Sequence, residues 1–206
     1  MRKALSLMVL SALYAATAVA DNAKLTYYWI TFESDESGSG PKDTKLQTCS
    51  GQTIASVTYH YADRVRMEGT GKLNDGRVVN IGGCDCGSGF RCFDVYDPRK
   101  YPWGIGSANN AIYPFSSIAN NDYKVGTKLY VKAFDGFKLP GGQRHNGCFE
   151  VGDKGWGLGH NHIDFFAGRE KYYHSIANVL NRDTVDYQVS NCQVQRYQVS
   201  FPAPSV

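Results

Sequence analysis

The chain has 206 residues, with 22 basic and 19 acidic side chains and a formal net charge of +3. That balance excludes the strongly basic stripe a nucleic-acid partner needs, and no later segment is apolar enough to span a membrane. Fourteen tyrosines, 22 glycines and six cysteines point instead to an exported, β-rich protein with an aromatic surface.

Met1 to Ala20 has the form of a secretory signal peptide. Arg2 and Lys3 make its basic start, Ala4 to Ala16 its apolar run, and Ala18-Val19-Ala20 a small-residue cleavage site. Residues 21–206 are then expected to form one soluble, extracellular domain, monomeric and free of any membrane anchor once the leader is cleaved. The aromatic and β-branched run Lys24 to Phe32 reads as a barrel strand, and the polar, glycine-rich Glu33 to Lys45 as a loop. Ile54 to Tyr61 alternates as a strand would, and Arg64 to Glu68 fits either a strand or a short helix. Arg77 to Ile81 follows the turn Asn74-Asp75-Gly76 and completes a hairpin. Cys92 to Tyr96 is a short strand closed by Asp97-Pro98, and Lys100 to Asn110 is a loop around Trp103. Lys128 to Phe134 is a strand, with a turn-rich connection from Asp135 to Gln143. His174 to Leu180 reads as a helix with Ile176, Val179 and Leu180 on one face. Val185 to Val189 and Gln193 to Phe201 read as late strands. Cys49, Cys84, Cys86, Cys92, Cys148 and Cys192 form an even set, hence three disulfides. Fifteen pairings are open, although Cys84 and Cys86 point to opposite sides of an extended strand. No cofactor or metal motif stands out: the pair Cys84-x-Cys86 lacks a second ligand pair at zinc spacing. Many short strands with glycine turns suggest a small closed barrel, with a sandwich as the other solution.

The chemistry is concentrated in Gly147 to Gly168, GCFEVGDKGWGLGHNHIDFFAG. Glu150 to Asp153 ends a strand, and Lys154 to Gly159 is a glycine-rich loop. His162, Asp164 and Phe166 share one face of the next strand, with Ile163 and Phe165 on the other. The aromatic neighbour would raise the Asp164 pKa by desolvation. Lys154, beside Asp153, would oppose this by favouring ionised carboxylates.

The pattern D-x-G-x-x-x-G-x-x-H-I-D-F-F-x-G, from Asp153 to Gly168, resembles the signature of the three-aspartate (3D) domain. That double-psi β-barrel is shared with the catalytic domain of lytic transglycosylase A. Tyr113 to Val131 (YPFSSIANNDYKVGTKLYV) is similar to another segment of the same domain. Thr26 to Gly38 and Met67 to Cys84 resemble secreted fungal members of the group. The His162-Ile163-Asp164 piece is also similar to one in family-45 endoglucanases and expansins. The resemblance implies a mostly β fold: a six-stranded double-psi barrel with loop insertions and short helices, stapled by disulfides. It implies cleavage of cell-wall polysaccharide (peptidoglycan, chitin or β-glucan) with Asp164 as the acid and then the base, or else a non-catalytic, wall-loosening binder. Asp153 is the candidate second carboxylate. Tyr28, Trp156, His162 and Asp122 are the candidate substrate contacts. Two family acids are amides here. Asn121 stands where the first aspartate is expected, with Asp122 adjacent, and Asn146 stands in a His-Asp-Gly segment.

Overall fold

The computed structural model describes residues 20–199, apart from Ser37, Ser39 and Ser88; the leader sequence and the end of the last expected strand lie outside the described residues. The first strand, β1 (Asp21–Trp29), leads directly into an inserted lobe. The lobe contains β2 (Thr31–Phe32), a 3-10 turn (Glu33–Glu36), β3 (Thr44–Gln47), β4 (Thr53–Val57), helix α1 (Tyr59–Glu68), β5 (Thr70–Lys72), β6 (Val78–Ile81) and β7 (Phe93–Tyr96). After the loop carrying Trp103 the chain returns through β8 (Ser117–Ala119), β9 (Lys128–Lys138), β10 (Arg144–Asp153), β11 (His162–Gly168), helix α2 (Glu170–Leu180) and β12 (Thr184–Val189).

Six strands close a barrel in the order β1-β11-β8-β10-β9-β12. Its parallel pairs are β1 with β11 and β8 with β10, the remainder being antiparallel. Strand alternation puts Leu25, Ile118, Leu129, Val131, Ile163 and Phe165 into one buried core. Phe165 stacks on Phe134 with ring centroids 4.9 Å apart. The mostly β, closed-barrel expectation therefore holds.

Residues 31–96, read from sequence as short strands and loops with Arg64 to Glu68 as strand or short helix, build a lobe outside the barrel. Its core of Leu46, Val57, Tyr61, Val65, Val79 and Phe93 lies under the sheet β2-β5-β6-β7. The strand expected to continue to Tyr61 stops at Val57, because Thr58 caps a helix: its Oγ1 accepts the Tyr61 N–H at 3.2 Å. The helix ends at Gly69, whose φ of 83° suits glycine. Within the expected loop Glu33 to Lys45, the 3-10 turn opens the segment and Thr44 already starts β3. Strand β9 runs four residues further than its apolar pattern suggested, through Lys138, because it pairs with β10 in a long hairpin.

In α2, Ile176 is buried but Val179 is 73% exposed, contrary to the expected apolar face. The packed stripe is Tyr172, Tyr173, Ile176 and Leu180, and Val179 falls beside it. Gln193 to Val199 is not a strand. The closed barrel offers no free edge to pair with, so the segment runs as a strap. Asn146 Nδ2 and Ser116 Oγ donate to the carbonyls of Gln193 and Gln195, at 2.8 and 2.6 Å. The three disulfides are Cys49–Cys84 and Cys86–Cys92 in the lobe, and Cys148–Cys192 at the root of the strap. Among the described residues no helix is long and apolar enough to cross a membrane.

Candidate active site

Backbone register brings the carboxylates together. In β8, Ala119 pairs with Asp164 of β11 on one side and with Asp153 of β10 on the other. Thr26 of β1 pairs with Asp164 on its far side. The row Thr26–Asp164–Ala119–Asp153 thus crosses four strands, and the two aspartate α-carbons lie two strand spacings, roughly 9.5 Å, apart. Both carboxylates line a cleft of about 990 Å³ between barrel and lobe.

Asp164 is held from behind. Thr26 Oγ1 donates to Asp164 Oδ1 at 2.7 Å and lies 2.7 Å from His162 Nε2. With the hydroxyl proton directed at the carboxylate, the imidazole supplies its Nε2–H to the same oxygen. The relay is His162 to Thr26 to Asp164. His162 is buried, and burial with nearby Lys24 holds its pKa below the usual value, which favours the neutral imidazole. It supports the carboxylate through Thr26 and is not among the residues lining the cleft. Burial pushes the Asp164 pKa up to about 6, the negative field of Asp153 adds to the rise, and the Thr26 bond opposes it. Phe166, the expected aromatic neighbour, is buried and packs on Tyr28, centroids 4.8 Å apart. Tyr28 lines the cleft with a buried hydroxyl, and burial together with Asp153 and Asp164 pushes its pKa well up.

Asp153 is tethered. Its Oδ1 accepts the N–H groups of Ser107 at 2.9 Å and Lys154 at 2.8 Å. The loop bearing Ser107 can come so close only because residue 106 is glycine: a Cβ there would lie 2.1 Å from the Gly152 carbonyl oxygen. Burial still raises the Asp153 pKa, against these bonds. The Lys154 charge favours an ionised carboxylate at Asp122 and not at the two cleft aspartates. The Lys154 ammonium turns to the carbonyls of Asn120, Asn121 and Tyr123 and serves as a backbone clamp.

The two amides in place of family acids have structural work that needs both halves of the group. Asn121 Nδ2 donates to the carbonyls of Gly155 and Leu158, both at 2.8 Å, while its Oδ1 accepts the Gly155 N–H at 3.2 Å. An ionised aspartate could make only the last of these. The pinned loop presents Trp156, 95% exposed, at the cleft. Asn146 similarly donates to Gln193 and accepts from the Cys148 N–H and the Tyr197 hydroxyl. His145 beside it is buried, with a pKa lowered to about 4 by desolvation. Asp122, expected at the substrate, is occupied on the rim: it accepts from His160 Nδ1 at 2.6 Å and the Asn161 N–H at 2.7 Å, and does not line the cleft.

Glu68 was not anticipated. As the last residue of α1 it reaches the cleft from the lobe. Burial raises its pKa to about 7, helped by Asp164 and Glu170 and opposed by Arg64 and the Trp29 N–H. Its placement depends on the helix cap at Thr58, which was hidden inside what reads as an alternating strand. Thr26 and Ser107 were also missed; both act through partners distant in sequence.

The fold and site define a closed double-psi barrel with an inserted lobe and a carboxylate cleft between them. The same architecture occurs in lytic transglycosylases of the MltA type. Escherichia coli MltA with bound chitohexaose superposes with a TM-score of 0.55 at 12% identity, covering 82% of this chain and 71% of that one. The membrane-bound lytic murein transglycosylase from Agrobacterium tumefaciens gives a TM-score of 0.50 at 11% identity, covering 80% and 73%. No family model matches the chain, and no curated protein sequence does.

Proposed function

We propose that this protein is a secreted, glycan-cleaving enzyme in which Asp164 is the proton-transferring carboxyl, acting on cell-wall polysaccharide by lytic transglycosylation of the peptidoglycan type or by hydrolysis of a related β-1,4-glycan. The observation that carries the reading is the state of Asp164: a cleft carboxyl, desolvated to a pKa of about 6 and oriented by the Thr26–His162 relay. Cleavage begins with protonation of the leaving glycosidic oxygen, and an acid near pKa 6 still holds its proton in mildly acidic solution. When the sugar's own 6-hydroxyl attacks the anomeric carbon, its proton can return to the same carboxylate. One aspartate then serves both steps, and Asp153, tied to two backbone N–H groups, is not needed as a partner.

Trp156 offers a flat exposed face in the same cleft as the acid, of the kind on which sugar rings stack. The shared fold with MltA, whose structure holds chitohexaose, supports a β-1,4-linked amino-sugar chain as ligand. Three disulfides and the expected leader support export. The test is a pair of measurements on wild type and D164N: chitohexaose binding followed by tryptophan fluorescence, and release of soluble fragments from peptidoglycan, chitin and β-glucan. Binding in both proteins with release by the wild type alone supports the proposal. Equal release by both removes Asp164 from the chemistry.

A further inference from the structure

The lobe contributes a carboxyl that the single-acid scheme leaves unused. Glu68 lines the same cleft as Asp164 but comes from the end of α1 on the lobe side. Among the cleft's carboxylates its oxygens are lightly committed: Oε2 accepts the Trp29 N–H at a long 3.4 Å. Asp153, by contrast, has two short backbone bonds. Of the cations on its own helix, Arg64 is shared between Glu36 and Glu170 at 3.3 and 2.6 Å and Arg66 pairs with Asp63 at 2.5 Å. The groups whose charges reach Glu68 are Arg64 from α1, Asp164 from β11 and Glu170 from α2. Met67, 73% exposed, precedes it, and Met67, Trp156 and both carboxyls line the same cleft.

We propose that Glu68 is a second catalytic carboxyl, the proton donor to the leaving oxygen when Asp164 is ionised. This rests on the reading of the cleft as glycan-cleaving. In the step, Glu68 gives its carboxyl proton to the glycosidic oxygen as the bond from that oxygen to the anomeric carbon breaks. The attacking hydroxyl, the sugar's own 6-hydroxyl or water, forms the new bond, and its proton passes to the Asp164 carboxylate. A proton then returns from Asp164 to Glu68 through solvent, restoring both groups. Asp164 loses its proton near pH 6, whereas Glu68 keeps its own to about 7. Below pH 6 Asp164 can act alone; between 6 and 7 the pair divides the work. A division of labour set by two unequal environments is what separates acid from base in paired-carboxylate sites.

The experiment is the pH profile of kcat on the glycan the wild type cleaves, for wild type, E68Q, E68D and E68A, with thermal melts to confirm folding. Glutamine keeps the shape and the acceptor for Trp29. The expected E68Q profile loses its alkaline limb about one unit earlier than wild type, leaving it roughly five-fold slower at pH 7, the ratio of protonated Glu68 to protonated Asp164 there. KM is expected to change little, and E68D to recover part of the limb. If E68Q misfolds, E68A decides: an alkaline limb lost earlier than in wild type supports the proposal, and one that superposes on wild type overturns it. A folded E68Q with an unshifted alkaline limb overturns the Glu68 role and leaves the Asp164 reading intact. A wild type that cleaves no glycan overturns both.

Discussion

Replacing Asp164 by asparagine should make the protein more stable, and by an amount that depends on pH. The carboxyl rises from an ordinary 3.8 to about 6 because folding strips water from it. Two pKa units correspond to about 3 kcal/mol. The folded state binds the proton more tightly than the unfolded chain does, so below about pH 4, where both are protonated, the aspartate carries no penalty. The penalty grows between about pH 4 and 6 and is complete above 6, where folding must bury a charge. Asparagine is neutral throughout, and its Oδ1 can still accept the Thr26 hydroxyl. The D164N variant should therefore exceed wild type by about 2–3 kcal/mol at pH 8, with the gap closing toward pH 4. Urea denaturation at one-unit pH intervals measures the gap directly and needs no substrate. A gap that is absent, or that does not vary with pH, would show that Asp164 is not desolvated and would remove the physical basis for its role as an acid.

Thr26→Val removes the one side-chain hydroxyl that favours the charged form of Asp164, so its pKa should climb further, by on the order of one unit; a carbon-13 NMR titration of the carboxyl reads it, and an unchanged midpoint refutes the relay. Asn121→Asp, the residue the family pattern would place there, forfeits two bonds to the Gly155–Leu158 loop and should cost about 1–2 kcal/mol while raising amide exchange in that loop. A gain in stability would contradict the loop-pin role. Trp156→Ala should leave the melting temperature within error, since the ring is 95% exposed, and weaken chitohexaose binding about ten-fold. Unchanged affinity by titration calorimetry would take Trp156 out of the binding surface.

Several barrel strands were legible because their signals are local, whereas the choice of a barrel over a sandwich came from the resemblance. Lys24 to Phe32 is aromatic and β-branched, Ile163 and Phe165 oppose Asp164, and the structure buries Leu25, Ile163 and Phe165 in the barrel core. The Asp164 environment followed from the same alternation, which puts Phe166 on its side of the strand. What sequence could not supply was contact across long separations. Glu68 shares a cleft with Asp164 only because the lobe folds back on the barrel, and Thr26 lies 138 residues from the aspartate it orients. The lobe itself was misread for a short-range reason: Ile54 to Tyr61 alternates past the point where Thr58 caps a helix, and periodicity over so few residues does not mark the switch. Lys154 reaches Asp122 and not Asp153 with its charge, since proximity in sequence says nothing of where a flexible side chain turns. Asn121 and Asn146 look like lost acids in the pattern. In three dimensions they are two-way hydrogen-bonding groups that hold a loop and a strap, so their presence does not weigh against activity at Asp164.

The most direct test of the central claim is the mass of the products released from peptidoglycan, chitin and β-glucan by wild type and D164N. The account predicts fragments from at least one glycan with the wild type and none with D164N; products lighter by one water identify intramolecular attack, and ordinary reducing ends identify hydrolysis. Intact glycan after incubation with folded wild type, or the same fragments from D164N, would contradict it.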